Sequence, residues 1–446
     1  MVTKVEANPA ARQEDSSSKE NLSPPKEFLG IEHFYQPTRR ILTPDGKRVE
    51  VLPFVNDDIL RQCYKPMLAR NGELPDALAF SFYPTLWLWM KDKYPDDFAI
   101  IKGKIEEMAD REYRILGDTY IHAILPLLPP EDQEILIKAG KKASIEEFGF
   151  DRKGLWLPET AVSTETLKIA AQNGYEFVPL GRHQIEPASS EPVRIAFEGG
   201  LEIIVLPFES EISKQLSFNE WARMNADTFL KQWVPYFASK PHGNNTVIAC
   251  DGETFGHHDK NGVAFREYLY RPEVLAQHGY KSLSIKEQLN NVSRYAEIHE
   301  LTSWSDYNDH KLGRWRGECC GNTAEEGKYL FRRLQEQNTE INAYLNNYYP
   351  NWKEEFISLI VNLRNEILAG GNIMGQLENN IKDYTKLRIF AAKIYTLLGF
   401  TSCGWFFDKK DSPEREIPRQ MTIVVGKLLR DEYRKQHEES TIFAAV

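Results

Sequence analysis

With 446 residues the chain can hold about three average domains, or one α/β barrel of roughly 250 residues with an appendage. Its 55 Lys and Arg against 65 Asp and Glu leave a formal charge of −10, which argues against a general nucleic-acid binder with a basic face. Hydrophobic residues at 41% and charged residues at 27% exclude a disordered or fibrous chain, and no apolar run approaches the roughly 18 residues of a membrane-spanning helix.

Residues 1–28 are polar, carry Ser16, Ser17, Ser18, Pro24 and Pro25, and read as a flexible tail. The opening MVTKVEANPAARQEDSSSKE has no apolar core of a secretory signal, so a cytoplasmic location is expected, with no membrane or nucleic-acid partner. Five cysteines without regular spacing make no disulfide framework, and the adjacent Cys319 and Cys320 lack the second pair of a zinc ribbon. Nothing in the pattern fixes an oligomeric state.

Residues 29–322 alternate short apolar runs with helical stretches. Strands are expected at Gly154–Leu157, Phe177–Leu180, Ile203–Phe208 and Thr246–Cys250, and helices at Thr164–Asn173 and Phe218–Phe237. This alternation predicts a parallel sheet built of βα units, and the length favours a barrel. Residues 323–446 change character. Ala324–Gln337, Trp352–Ala369, Lys386–Leu398 and Arg419–Gln436 carry apolar residues at helical spacing and predict a C-terminal helical domain.

Two apolar runs end in carboxylates. Lys153–Val162 (KGLWLPETAV) reaches Glu159, and Val247–Asp259 (VIACDGETFGHHD) reaches Asp251 and Glu253. Strand ends of a barrel form its active-site rim, and glycoside hydrolysis needs a pair of Asp or Glu groups. Glu159 could instead favour the start of a following helix, and Asp251 could cap an Asp-Gly turn. His33, His122, His183, His257 and His258 could each hydrogen-bond a sugar hydroxyl. With Asp251 they could instead hold a metal, although no HxxxH or HxxEH spacing occurs. Thr302–Gly321 brings Trp304, Trp315, Asp306, Asp309, His310, Arg314 and Arg316 into one loop, as a binding cleft or an ion-paired surface would. Nine Trp and 20 Tyr offer flat faces for stacking on sugars or bases, or a ring-rich core.

The segments WLPET around Glu159 and DGETFG around Asp251 resemble two signature motifs of glycoside hydrolase family 57. The resemblance implies an irregular (β/α)7 TIM-like barrel followed by a helical region. It implies a retaining mechanism on α-glucans, needing neither metal nor cofactor. Glu159 would be the nucleophile, Asp251 the acid/base and Glu253 a supporting residue. Substrate contacts would fall to His33, His122, Trp156, His183, His257, Trp304, Trp315 and Trp405, the Trp rings stacking on glucose. The family's His-Gln-Pro motif is broken here, because Phe34-Tyr35 separates His33 from Gln36-Pro37. His122–Pro126 and Thr302–Arg316 resemble further motif regions. Thr401–Asp408 (TSCGWFFD) is similar to a segment of a subgroup with an uncharacterised C-terminal domain. Amylase, 4-α-glucanotransferase and branching activities would share the two carboxylates. A non-catalytic glucan-binding protein and a metal-dependent carbohydrate hydrolase or deacetylase stay open beside them.

Overall fold

A computed structural model describes residues 26–70, 75–237, 245–305, 311–318, 324–368, 371–406 and 412–438. The segments with Cys319, Cys320, Asp306, Asp309, His310 and Asp408 lie outside the described residues, as does the expected tail up to residue 25. The next three residues, assigned to that tail, instead open the first strand, β1 (Lys26–Phe34).

Strand β1 is buried at every position from Phe28 to Phe34, the signature of a parallel strand covered on both faces. Sequence reading missed it because Glu32 and His33 interrupt the apolar run. Glu32 survives in the core because Arg266 donates its Nε–H to both carboxylate oxygens at 2.7 and 2.9 Å. Gly30 is required there, since a Cβ would fall 2.0 Å from the Tyr270 hydroxyl.

Along the chain follow β2 (Leu78–Phe82), β3 (Ile115–Leu116), α1 (Pro130–Phe148), α2 (Thr164–Gln172), β4 (Phe177–Gly181), β5 (Val193–Ala196), β6 (Glu202–Phe208), α3 (Ser210–Phe218), β7 (Asn245–Asp251) and β8 (Tyr280–Ser282). One sheet has the order β7-β1-β2-β3, all parallel, with β8 added along the start of β1. A second sheet pairs β4 with β6 in parallel and β5 with β6 antiparallel. Gly154–Leu157, expected as a strand, links the two sheets only through isolated parallel bridges, Gly117 to Leu155 and Gly154 to Phe177. On the other side the Glu209 N–H donates to the Val247 carbonyl at 2.8 Å. The expected α/β class is present, but the pairings form two bridged sheets instead of one continuous barrel sheet.

The helix expected over Phe218–Phe237 is also corrected. The helix after β6 is α3, which ends at Phe218; a short turn follows at Glu220–Arg223, and the expected helix is present only over residues 226–237, with a π turn at Phe229–Trp233. Asn219 breaks the pattern: it leaves the helical region at ψ 115°.

The C-terminal region is helical, as its spacing predicts: α4 (Ala324–Tyr348), α5 (Trp352–Asn362), α6 (Tyr384–Gly399), α7 (Cys403–Phe406) and α8 (Glu416–Glu438), with shorter turns between. It is fastened to α1 by a buried polar knot. Lys393 on α6 donates to Asp132 of α1 at 2.5 Å and to Asn338 and Asn342 of α4 at 2.7 and 2.6 Å. Asn338 also donates to Asp132 at 2.6 Å. Among the described residues no helix is long and apolar enough to cross a membrane.

Candidate active site

The register of the parallel sheet gathers the sequence's polar strand ends. His33 near the end of β1 pairs with Asp251 at the end of β7 on one side and with Ser81 of β2 on the other. Asp251 closes β7 and a tight turn, Gly252–Thr254, follows. No side-chain cap forms there, so the capped Asp-Gly turn does not describe Asp251. Gly252 is needed because Phe34 occupies the space of a Cβ at 2.7 Å, and Gly256 has φ +124° with a Cβ site 2.7 Å from the Gln62 carbonyl.

Glu159 sits in a tight turn, Pro158–Thr160, well before α2, whose N-cap is Ser163; it is not a helix-start residue. Glu159 and Thr160 both adopt left-handed backbone conformations, φ 56° and 48°. Such conformations cost on the order of 1–3 kcal/mol each and persist only when surroundings enforce them. Gln184 does so: its Nε2 donates to the Thr160 carbonyl at 2.8 Å, and its Oε1 accepts from the Thr160 hydroxyl at 3.1 Å and the Gly181 N–H at 2.9 Å. The Trp304 N–H donates to the Thr160 hydroxyl at 2.9 Å, and the Trp304 indole Nε1–H donates to Glu159 Oε2 at 2.8 Å.

Electrostatics separate the carboxyls. Burial raises Glu159 above the usual carboxylate range, while hydrogen bonds from Trp304 and Ser402 and the charge of Arg314 oppose it. Asp251 is pushed well above its ordinary value by burial, then by the charges of Glu253 and Glu159. Burial pushes Glu253 up to about 7 against hydrogen bonds from Tyr64 and Gln36. Both carboxyls are thus raised chiefly by burial, but hydrogen-bond donors oppose the shift at Glu159 while neighbouring like charges add to it at Asp251, a contrast of the kind that divides acid and nucleophile roles.

The histidines are less available than the sequence implies. His33 and His122 are buried, and their four ring nitrogens are engaged: His33 Nδ1 with the Ser81 hydroxyl at 2.6 Å, the two Nε2 atoms with each other at 3.1 Å, and His122 Nδ1 with the Ser402 hydroxyl at 2.8 Å. Burial lowers His33 to about 3 and His122 far below its ordinary value, so both are neutral. His183 engages the Ser210 hydroxyl at 2.7 Å and donates to the Ser303 carbonyl at 3.0 Å. It lines a 450 Å³ cavity with Arg182, His299 and Thr302. His257 and His258 are exposed on the rim beyond Glu253. The described residues hold no group of three or more His, Cys, Asp or Glu placed to ligate a metal.

Three of the expected stacking rings are corrected. Trp156, Trp315 and Trp405 are 0–1% exposed. Trp156 lies against the His33 ring at 5.0 Å, the Trp315 indole faces Ser303, and the Trp405 indole donates to the Gly399 carbonyl at 3.1 Å. A ring without an accessible face packs the core and cannot stack on a sugar. Trp304 keeps a partly open ring and is the one that touches Glu159. Sequence reasoning missed Gln36 as a site residue, along with Tyr64, Ser81 and Ser402. Gln36 donates to Glu253 and to the Tyr64 hydroxyl and accepts from Arg39. Ser402 lies inside the TSCGWFFD segment, where a lone serine has no pattern of its own. A cavity of 870 Å³ between α4 and Pro126–Pro129 contains none of the three carboxylates.

Residues 100–299 match the model of glycosyl hydrolase family 57, a stretch that includes Glu159, Asp251 and Glu253. This segment is similar to members of that family. Its curated relatives include alpha-amylase 1 of Dictyoglomus thermophilum, 26% identical over 46% of this chain and 29% of that protein. A 4-alpha-glucanotransferase of Thermococcus litoralis is 22% identical over 46% of this chain and 30% of that protein. The match thus spans about a third of the length of these relatives. Solved structures share the fold over most of the chain. A maltose-forming exo-amylase from a Pyrococcus species superposes with TM-score 0.69 at 15% identity, covering 91% of this chain and 80% of that one. A family 57 branching enzyme from Thermococcus kodakaraensis gives 0.57 at 15% identity, covering 92% and 96%. His33 and Ser402 lie outside the matched segment.

Proposed function

We propose that the protein is a retaining enzyme that cleaves or transfers α-glucan chains, with Glu159 as nucleophile and Asp251 as acid/base. The observation that carries this reading is the contrast between the two carboxyls within the matched segment. Glu159 accepts a hydrogen bond from the Trp304 indole, and Asp251 is pushed towards its protonated form by burial and by the charges of Glu253 and Glu159. The relatives' names, amylase and glucanotransferase, support α-glucan as the substrate class.

In the first step a Glu159 oxygen attacks the anomeric carbon. The glycosidic C–O bond breaks, its electron pair leaves with the oxygen, and Asp251 gives that oxygen its proton. In the second step the Asp251 carboxylate takes a proton from water or a sugar hydroxyl, whose oxygen attacks the same carbon and frees Glu159. Such a double displacement requires two carboxyl groups roughly 5–5.5 Å apart. Glu253 keeps Asp251 protonated, and Trp304 both orients Glu159 and offers its open ring to a sugar. The seven parallel positions β1, β2, β3, Gly154–Leu157, β4, β6 and β7 are then read as a distorted (β/α)7 barrel across residues 29–322, with 323–446 as its helical partner. A cytoplasmic glucan pool fits this reading.

The test is incubation of wild type and Glu159→Gln with maltoheptaose, followed by product chromatography. New reducing ends indicate hydrolysis, and redistributed chain lengths indicate transfer. In either case the variant should be inert. A wild type that binds maltoheptaose yet leaves it unchanged overturns the enzymatic reading.

A further inference from the structure

Glu159 and Thr160 are neighbours in sequence, yet both side chains reach one residue, Trp304. The Trp304 N–H donates to the Thr160 hydroxyl at 2.9 Å and to the Glu159 carbonyl at 3.2 Å, and the indole Nε1–H donates to Glu159 Oε2 at 2.8 Å. Successive side chains of an extended chain point to opposite faces, so this convergence needs the left-handed pair, φ 56° and 48°. The turn therefore has to be held. Gln184, fully buried in the short turn that follows β4, holds it.

Backbone groups fix which way the Gln184 amide faces. The Gly181 N–H can only donate, so the atom 2.9 Å from it is Oε1; the Thr160 carbonyl can only accept, so the atom 2.8 Å from it is Nε2. The same logic fixes the Thr160 hydroxyl. It accepts from the Trp304 N–H, and its one proton goes to Gln184 Oε1 at 3.1 Å. The second Nε2 proton faces the Thr302 hydroxyl at 3.4 Å, whose own proton goes to the His299 carbonyl at 2.8 Å. The segment that carries Trp304 is tied again by the Leu301 N–H to the Val162 carbonyl and the Val162 N–H to the Thr302 carbonyl, both at 3.0 Å. Both acceptor positions and both protons of the amide are used, and none of the bonds made by the amide or the Thr160 hydroxyl depends on a protonation state.

We propose that Gln184 and Thr160 are positioning residues: they form a clamp that sets Trp304 and, through its indole, the carboxylate of Glu159. The proposal rests on reading Glu159 as the reacting carboxylate. Thr160 is the centre of the clamp, because its hydroxyl is the atom shared by Gln184 and Trp304. Trp304 donates from both its backbone and its ring, so a displaced backbone N–H carries the indole with it. A carboxylate that loses a fixed donor gains rotational freedom, and the chemical step depends on orientation. Gln184 and Thr160 are themselves fully buried and cannot touch a sugar, so their loss should act on kcat and leave KM little changed.

Two measurements on the full chain test the clamp. The first is ¹⁵N–¹H NMR of tryptophan-labelled protein, in which Trp304→Phe identifies the Trp304 indole signal by its disappearance. Thr160→Ala removes the shared hydroxyl; Thr160→Ser loses the same methyl but keeps the hydroxyl. The alanine variant should move the Trp304 indole signal, and the serine variant should leave it at its wild-type position. Gln184→Met, which opens the clamp from the other side, should move the signal in the same direction as alanine; should it not fold, the alanine and serine pair decides alone. An alanine variant with the wild-type indole signal, or a serine variant displaced as far as alanine, overturns the proposal without reference to turnover. The second measurement is kinetics on maltoheptaose. Loss of a neutral hydrogen bond predicts a fall in kcat of about tenfold for Thr160→Ala, with recovery in Thr160→Ser. An unchanged kcat, or a loss that serine does not restore, overturns the proposal. If wild type itself does not convert maltoheptaose, the enzymatic reading fails, while the indole signal still decides the clamp.

Discussion

Two of the clusters of charged side chains in this protein are assembled on opposite rules. At the junction of α1, α4 and α6, Lys393 meets Asp132, and two asparagines take up the remaining donors and acceptors. Around Asp251, burial and then the charges of Glu253 and Glu159 raise its carboxyl far above the ordinary range. The first arrangement is closed: every charge is cancelled and no group is left to react. The second holds like charges together and is costly in isolation, which is the mark of a site kept for chemistry. Burial alone does not separate structure from function here; the sign of the neighbours does.

Breaking each cluster should therefore have different consequences. Glu159→Gln should lower turnover by about 10⁴-fold or more, as losing a nucleophile does, while maltoheptaose binding measured by calorimetry persists. Lys393→Met leaves Asp132 buried without its cation and should destabilise the fold by about 3–5 kcal/mol in denaturant titration. Pairing it with Asp132→Leu should recover part of that loss, and turnover per folded molecule should stay unchanged. Trp304→Phe removes the indole donor to Glu159. It should reduce kcat by about tenfold. The ionised form of Glu159 loses support, so the acid limb of the kcat profile should move up in pH. Glu253→Gln sharpens the comparison in the other direction. It removes the charge that resists ionisation of Asp251, so Asp251 should lose its proton more easily and the basic limb should move to lower pH. A basic limb that stays in place or moves up would show that Glu253 does not govern Asp251. The smallest effect is expected for Trp405→Phe: its ring is buried, so KM for maltoheptaose should not change.

The carboxylates were legible because each ends an apolar run, and local sequence reports where a strand meets the surface. The α/β class and the C-terminal helices were legible from periodicity for the same reason. Strand β1 was not, because Glu32 and His33 look polar until Arg266 and His122 are seen to satisfy them. The Trp residues misled: composition says that a ring is present but not which face is covered, and Trp156, Trp315 and Trp405 are covered on all sides. Ser402 was invisible for a different reason. It meets His122 across 280 positions of sequence, and a lone serine has no pattern of its own.

The bond between Ser402 and His122 also carries a timing. Translation delivers the sheet first, and the Thr401–Ser402 segment follows only after α4 and α6 have been made. A nascent chain that has folded its strands thus leaves His122 Nδ1 without this partner, and the pairing closes only once the helical region has left the ribosome and docked.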